Sequence, residues 1–530
     1  MTGLRVAAIV VLLLVLLGAV ALLAARAAQF LRARRAYSRW RRPARFERNL
    51  VVIGAGAAGL VAAYIAAAVR AKVTLVERHR MGGDCLNTGC VPSKALIRSA
   101  RLLAQIRRAH EYGLRTAHAE ADFALIMERV RGVVRAVEPH DSVERYTALG
   151  VECLAGEARI VSPWEVEVKD SAGATRRLTT RSIVIAAGAR PYVPPIPGID
   201  SVDCLTSDTI WTLRSLPARL LVLGGGPIGC ELAQAFARLG ARVTLVEMLP
   251  RILAREDAEV SAQLSERFVA EGIDVRCSHK ALRFGTDRGG RHLVAEHAGS
   301  EARIEFDTLL CAVGRVARTE GYGLEELGIS VSVSGARTIV TDDHLRTVYP
   351  NIYACGDVAG PYQFTHTAAH QAWYAAVNAL FGAVRKFRVD YSAIPRAVFT
   401  DPEVARVGLN ETEAKERGVA YELSVYRLEE LDRAIADGEA RGMVKVLSVP
   451  GSRGGRILGA TIVGEHASES IGEFVSAMRH GIRLERMLGT IHVYPTYGEA
   501  NKYAAGVWKK AHAPARVLRW LDRYHAWRRR

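Results

Sequence analysis

The chain is 530 residues long, with 49% hydrophobic side chains, 24% charged side chains and eight cysteines. That length exceeds a single compact core, and the composition excludes a disordered chain or a disulfide-built scaffold. The net charge of +17 sits mainly in residues 1–49 (+9) and 508–530 (+7), so the body is nearly neutral and a basic nucleic-acid groove through it is not expected.

Val6 to Ala25 is an uncharged apolar run. As a helix at about 1.5 Å per residue it reaches roughly 30 Å, the thickness of a bilayer's hydrocarbon core. Nine arginines follow it, from Arg26 to Arg48, and only Arg5 precedes it. The positive-inside rule then places the remainder in the cytoplasm. The expectation is a single-pass anchor in the inner membrane, with residues 1–48 as anchor and basic linker. A cleaved signal peptide is the alternative; the length of the run and the arginines behind it argue against that.

An internal repeat comes next. Leu50–Gly59 reads LVVIGAGAAG and Leu220–Gly229 reads LLVLGGGPIG; each is followed by an Ala-containing helical stretch and a strand, KVTLVE ending at Glu77 and RVTLVE ending at Glu247. This is the strand–turn–helix–strand pattern of a dinucleotide-binding unit. Gly54 makes the tight turn, Gly56 admits the pyrophosphate and Gly59 lets helix and strand pack closely. Helix N-terminal amides meet the phosphate charge, and Glu77 accepts from a ribose hydroxyl. Gly224, Gly226, Gly229 and Glu247 repeat these roles. A carboxylate at Glu247 favours NAD(H) over NADP(H), although Arg251 four residues on softens the preference.

Between the two copies lies GGDCLNTGCVPSKAL, Gly82 to Leu96. On an unbroken helix Cys85 and Cys90 would stand about 7.5 Å apart along the axis, too far for a disulfide. Asn87, Thr88 and Gly89 are turn-formers that can break the helix between them. A restarted helix and nearby Lys94 favour a thiolate, so the pair suits redox work; two buried structural thiols are the plainer alternative. At the far end, Val517, Trp520, Leu521, Tyr524 and Trp527 form one helical stripe beside arginines. That periodicity fits a helix lying on lipid, and equally one packed on its own domain or a second subunit.

With these motifs in place, residues 49–507 resemble the flavin-dependent class I pyridine nucleotide–disulfide oxidoreductases, the dihydrolipoamide dehydrogenase and mercuric reductase-like group. Further matching segments are IVIAAGARPYVPPIPG (Ile183 to Gly198), YACGDVAG (Tyr353 to Gly360) and AVFTDPEVARVGLNETEA (Ala397 to Ala414). The resemblance implies an α/β fold: two Rossmann-like domains, for FAD and NAD(P), and an α+β C-terminal dimerisation domain, here preceded by one transmembrane helix. The implied domains are a split FAD domain (49–198 and 318–390), an inserted NAD(P) domain (199–317), an interface domain (391–507) and a basic tail (508–530).

The resemblance also implies roles. FAD takes the first unit, with cofactor contacts at Gly82, Gly83, Ala187, Gly188, Gly356 and Asp357, and NAD(H) takes the second, with Gly314 near it. Lys94 lies by the flavin and pairs with Glu231. Cys90 faces the flavin, Cys85 exchanges with the acceptor, and reducing equivalents run from NADH through flavin to the Cys85–Cys90 disulfide. No resident metal is implied. Cys153, Cys204, Cys230, Cys277, Cys311 and Cys355 read as buried small hydrophobes.

One departure bears on the chemistry. Disulfide-reducing members carry a His directly before Pro-Thr and a Glu four residues after that Pro, acting from the partner subunit of a homodimer. Here Pro495, Thr496 and Glu499 match, but Tyr494 holds the His position and His492 is two residues earlier. A phenol titrates near 10 and shuttles protons poorly at neutral pH. Either His492 takes the role from the same face of a strand, or the small-molecule acceptor needs no base. Mercuric reductase-like members also lack this His, yet their C-terminal cysteine pair is missing here. The loop Gly314 to Gly328 departs too, lacking the usual Pro-Asn. The reading is a membrane-anchored NAD(P)H-dependent flavoenzyme; a membrane quinone reductase and a non-catalytic flavin-binding redox sensor are the alternatives.

Overall fold

The computed structural model describes residues 35–530, which fall into two units. The first comprises the residues up to Asn87, Val137–Arg190 and Arg315–Val389. Its strands β1 (Arg48–Ile53), β2 (Val73–Glu77) and β3 (Val151–Ala155) run parallel in the order β3-β2-β1. The sheet continues through β6 (Thr175–Ile185), parallel to β1, and then antiparallel through β5 (Glu165–Lys169) and β4 (Glu157–Ser162). The short strand Ile352–Ala354 pairs with β6 on its other flank.

Alternation along the strands divides the apolar side chains between the two faces. Leu50, Val52, Leu75 and Val184 join one core cluster, and Val51, Ile53, Val76 and Ile185 join the other. Helix α1 (Ala57–Ala68) covers the first face; its alanines let it lie close to the helix Thr365–Phe381. The N-terminal basic stretch is docked where it is described. The Tyr37 hydroxyl donates to Asn351 at 2.6 Å and its ring stacks on Trp164, while the Trp40 indole donates to Tyr349 at 3.1 Å. Helix α2 (Gly83–Asn87) closes the first stretch of this unit.

The second unit comprises Thr88–Ala136, Pro191–Gly314 and Asp390–Arg530, and begins with α3 (Cys90–Arg107). Strands β7 (Cys204–Thr206), β8 (Arg219–Leu223), β9 (Arg242–Val246), β10 (Asp274–Arg276) and β11 (Thr308–Cys311) form a parallel sheet in the order β10-β9-β8-β11-β7. Helix α4 (Pro227–Leu239) is buried along most of its length. A separate antiparallel sheet, β12 (Pro395–Val398), β13 (Glu403–Gly408), β14 (Glu422–Arg427), β15 (Met443–Ser448) and β16 (Ile457–Gly464), is ordered β12-β13-β16-β15-β14. Helix α5 (Glu499–Ala511) packs on its core, and α6 (Ala515–Arg528) follows with Val517, Trp520, Tyr524 and Trp527 exposed.

The membrane expectations are corrected at this point. Among the described residues no helix is long and apolar enough to cross a membrane. The longest, α3, has 18 residues and carries Lys94, Arg98, Arg101 and Arg107; α6 has 14, with Arg516, Arg519, Arg523 and Arg528. A span needs about 20 mostly apolar residues. The run Val6–Ala25 that prompted the expectation lies outside the described residues. Among the described residues the fold class therefore stands as two Rossmann-like domains and a C-terminal dimerisation domain, with no helix able to cross a membrane. The inner-membrane location, the lipid partner assigned to residues 6–25 and the lipid alternative for 508–530 are withdrawn.

Candidate active site

The two glycine turns are built alike. Gly54 has φ +99° and Gly224 φ +109°, conformations that favour glycine, and a Cβ on either would fall about as close as 2.4 Å and 2.6 Å to a carbonyl oxygen of the facing strand end, Ala186 and Ala312. Gly59 and Gly229 are tighter, since an added Cβ would lie 1.7 Å and 1.9 Å from the carbonyl oxygens of Gly54 and Gly224. The middle glycines are open: a Cβ on Gly56 meets nothing nearer than 3.7 Å, and one on Gly226 nothing within 4 Å. Helices α1 and α4 start there with no side-chain cap and no acid in the first turn. Uncapped helix amides over an open glycine suit a pyrophosphate, so the residues fit a dinucleotide in each unit.

Glu77 accepts from the N–H groups of Ala55 (2.7 Å) and His79 (2.8 Å), and Glu247 accepts from those of Gly225 (2.6 Å) and Leu249 (2.8 Å). Each carboxylate braces its own turn and keeps further lone pairs for a ribose hydroxyl. In the first unit, a Cβ on Gly83 would stand 2.6 Å from Gly56 Cα, so the start of the cysteine segment is laid against the first glycine turn. Gly82 precedes it, Ala187 and Gly188 follow β6, and Gly356 and Asp357 lie in a short turn after the strand Ile352–Ala354. The Gly356 N–H donates to buried Gln371 at 2.6 Å. Gly314 follows β11 in the second unit.

Cys85 is half-buried in α2, and Cys90 is exposed as the first residue of α3. The helix is interrupted at Thr88–Gly89, where the turn-formers predicted a break. The Thr88 carbonyl is held by the Trp211 indole at 2.8 Å, and Arg315 pairs with Asp84 beside Cys85. Cys90 and Lys94 share one face of α3, being four residues apart. Lys94 Nζ lies 2.7 Å from Glu231 Oε2 and 4.3 Å from the centre of the Phe399 ring; the Phe399 N–H donates to the other Glu231 oxygen at 3.0 Å. A carboxylate that is nearly buried and an aromatic face thus fix the ammonium.

The expected base locus is arranged differently. The Tyr494 hydroxyl donates to Asp432 at 2.8 Å, and that carboxylate pushes the exposed phenol above its ordinary value, further from base catalysis at neutral pH. His492 lies in no strand, so the same-face argument for it fails. Its ring is held by Glu473 (2.9 Å) and the Thr490 carbonyl (3.1 Å), and Asn501 secures Glu473 at 2.9 Å. Glu499 is buried at the start of α5; its contacts are the Thr496 N–H and the Tyr503 hydroxyl, each 3.4 Å away. Neither His492 nor Tyr494 is engaged by it.

Sequence reasoning missed Phe399, Trp211, Arg315, Gln371, Asp432 and Glu473. Phe399 and Arg315 stand inside motifs already singled out; the others carry no local signal. Cys230, Cys311 and Cys355 are buried as expected, whereas Cys153, Cys204 and Cys277 are half-exposed.

Fold, paired dinucleotide turns and a split cysteine segment define a two-dinucleotide flavin oxidoreductase, and comparison with known proteins agrees. The profile described as pyridine nucleotide-disulphide oxidoreductase matches residues 48–372, and that of the same family's dimerisation domain matches 394–505. The chain belongs to this family. It is 36% identical to a mercuric reductase of Streptomyces lividans, over 86% of this chain and 95% of that one, and 35% identical to a dihydrolipoyl dehydrogenase of Chlamydia muridarum, over 85% and 94%. Among solved structures, LpdA from Mycobacterium tuberculosis superposes with a TM-score of 0.78 at 27% identity, covering 86% of this chain and 99% of that one. The HOCl-induced flavoprotein disulfide reductase RclA from Escherichia coli gives 0.76 at 27%, covering 87% and 99%. The protein is accordingly an FAD-dependent NAD(P)H oxidoreductase with a redox-active disulfide, passing electrons to an acceptor. The non-catalytic alternative falls with that assignment; the membrane quinone alternative loses the inner-membrane location that favoured it.

Proposed function

We propose that the acceptor is a thiophilic metal ion of the Hg(II) class, reduced by electrons from NADH at the expense of the Cys85–Cys90 dithiol in a homodimer. The supporting observation is the base locus: Tyr494 stands in the imidazole position, tied to Asp432, while His492 is tied to Glu473. A disulfide acceptor must take up two protons as its sulfur–sulfur bond breaks; a metal ion exchanges ligands on thiolates and takes two electrons. Mercuric reductases are among the relatives, and a Cu(II) complex is among the related structures.

Bound FAD supplies the two-electron carrier between NADH and the disulfide. The first unit holds it through the turn at Gly54, Gly56 and Gly59, with Glu77, Gly188, Gly356 and Asp357; the second holds NADH through Gly224, Gly226, Gly229 and Glu247. Lys94, fixed by Glu231, keeps a positive charge on the Cys90 face of α3. Cys85 is the outer sulfur that takes the ion, and Cys90 the inner one. As two electrons leave for the ion the sulfurs rejoin, and NADH yields NAD+ and one proton overall. Tyr494 and Glu499 line the pocket of the partner subunit.

An anaerobic acceptor panel tests this. NADH oxidation with Hg(II) under excess monothiol should exceed that with lipoamide or small disulfides and should persist in Tyr494→Phe. Tyr494→His should raise lipoamide turnover by about tenfold or more. If lipoamide is the better acceptor of the native enzyme, the reading fails.

A further inference from the structure

Cys204 and Cys311 lie outside every cofactor and redox motif. They sit on neighbouring parallel strands, β7 and β11, with Cys204 opposite Leu309 and Cys311 opposite Thr206. Alternate residues share a face, so Cys311, two beyond Leu309, is on the face that carries Cys204. Each thiol shifts the other's ionisation: Cys311 pushes the Cys204 thiol up, and Cys204 draws the Cys311 thiol down. Cys311 is buried, with its sulfur 3.6 Å from the Tyr192 carbonyl oxygen. Cys204 is half-buried on the edge strand, which leaves a route in from solvent.

Spacing decides what such a pair can do. A step of two residues along and one strand across separates the Cα atoms by roughly 8 Å. A disulfide needs about 4.4–6.8 Å, so oxidation would have to move the backbone. A bridging metal ion inserts two metal–sulfur bonds of about 2.3 Å each and fits a wider pair. Thiolates are soft ligands, and a divalent ion held by two of them is electrically neutral. Neutrality matters because the neighbours are apolar, including Leu221, Leu309 and Phe306.

We propose that Cys204 and Cys311 form a two-thiolate site for a soft divalent metal ion, separate from Cys85 and Cys90. Binding breaks both S–H bonds, forms two sulfur–metal bonds and releases two protons to solvent, with no change in oxidation state. The site adjoins the second nucleotide turn: the Ala312 N–H, next to Cys311, donates to the Leu223 carbonyl at 2.8 Å, and the Ala312 carbonyl faces Gly224. It stands whether or not a metal ion is the electron acceptor.

The test uses full-length holoenzyme carrying Cys85→Ser and Cys90→Ser, mixed with Hg(II) and excess glutathione and then gel-filtered. About one ion per chain should remain bound, because a chelating pair outcompetes a monothiol and single cysteines do not. Adding Cys204→Ala or Cys311→Ala should abolish retention, with flavin absorbance reporting an intact fold. Unchanged retention in both, or none in the parent variant, overturns the site. Should the alanine variants fail to fold, alkylation of the parent variant decides: Hg(II) should protect Cys204, and equal labelling with and without the ion refutes the proposal.

Discussion

The two glycine-turn units are near copies with different duties. In both, a carboxylate at the end of the second strand grips the same backbone positions of its turn, at 2.7 Å in the first and 2.6 Å in the second. In both, the last glycine leaves no room for a Cβ. Among their differences, one helical position stands out. Two residues beyond Gly59 stands Val61, packed against the α1 core; two beyond Gly229 stands Glu231, which holds Lys94. The turn is shared, and one side chain ties the second copy to α3, the helix that begins at Cys90.

Breaking the shared feature should give the largest effect. Gly59→Ala should yield colourless protein, because its Cβ collides with backbone; Gly229→Ala should stay yellow but resist bleaching by NADH. Visible spectra before and after anaerobic NADH measure both, and a normally bleached Gly229→Ala would contradict the repeat's division of labour.

A second difference is tethering. Asp257 and Glu259, shortly after the second glycine turn's acid Glu247, surround with Glu411 the buried Lys445 of the C-terminal sheet, 2.8 Å from Asp257 and 2.5 Å from Glu411. Lys445 occupies what would otherwise look like a carboxylate metal site. Burial works to raise Asp257 and Glu411, but Lys445 outweighs it and, with Thr412 and Tyr421, holds both below the ordinary carboxylate range. Depressed carboxylates contribute stability in full above their ordinary values and lose it as pH falls through the depressed ones. Stability should therefore decline on acidification below that range. Lys445→Met should cost about 3 kcal/mol near neutrality and flatten the decline, read by denaturant unfolding at several pH values. A variant with the native acid profile would show that the cluster is not its source.

The smallest effect sharpens the comparison at its point of divergence. Glu231→Gln removes a charged partner of Lys94 and should slow reduction of the cysteine pair by roughly ten- to a hundredfold in stopped-flow traces. Val61→Glu in the first copy should bring no compensating gain. A rate within twofold of native for Glu231→Gln would detach the Lys94 pair from the chemistry.

Much of the site was legible because its signals are contiguous. Each strand–glycine–helix–acid run spells out its own geometry, and Asn87–Gly89 announced the break between Cys85 and Cys90. The base locus was legible only as a substitution: Tyr494 was visible, but its bond to Asp432 was not, and the strand expected to bring His492 round does not exist. The membrane reading rested on the apolar run Val6–Ala25 and the arginines behind it; that run lies outside the described residues, and among those described no helix is able to cross a membrane.

By itself, then, the sequence determined the paired dinucleotide turns, the cysteine segment and the loss of an imidazole, since each depends on neighbours within a few residues. The tertiary structure alone decided that Phe399 cradles Lys94, that Glu473 captures His492 and that Cys204 and Cys311 share one face of neighbouring strands. Those contacts depend on strand register and helix docking between segments tens to hundreds of residues apart, where a shift of one residue would turn the same side chain to the opposite face.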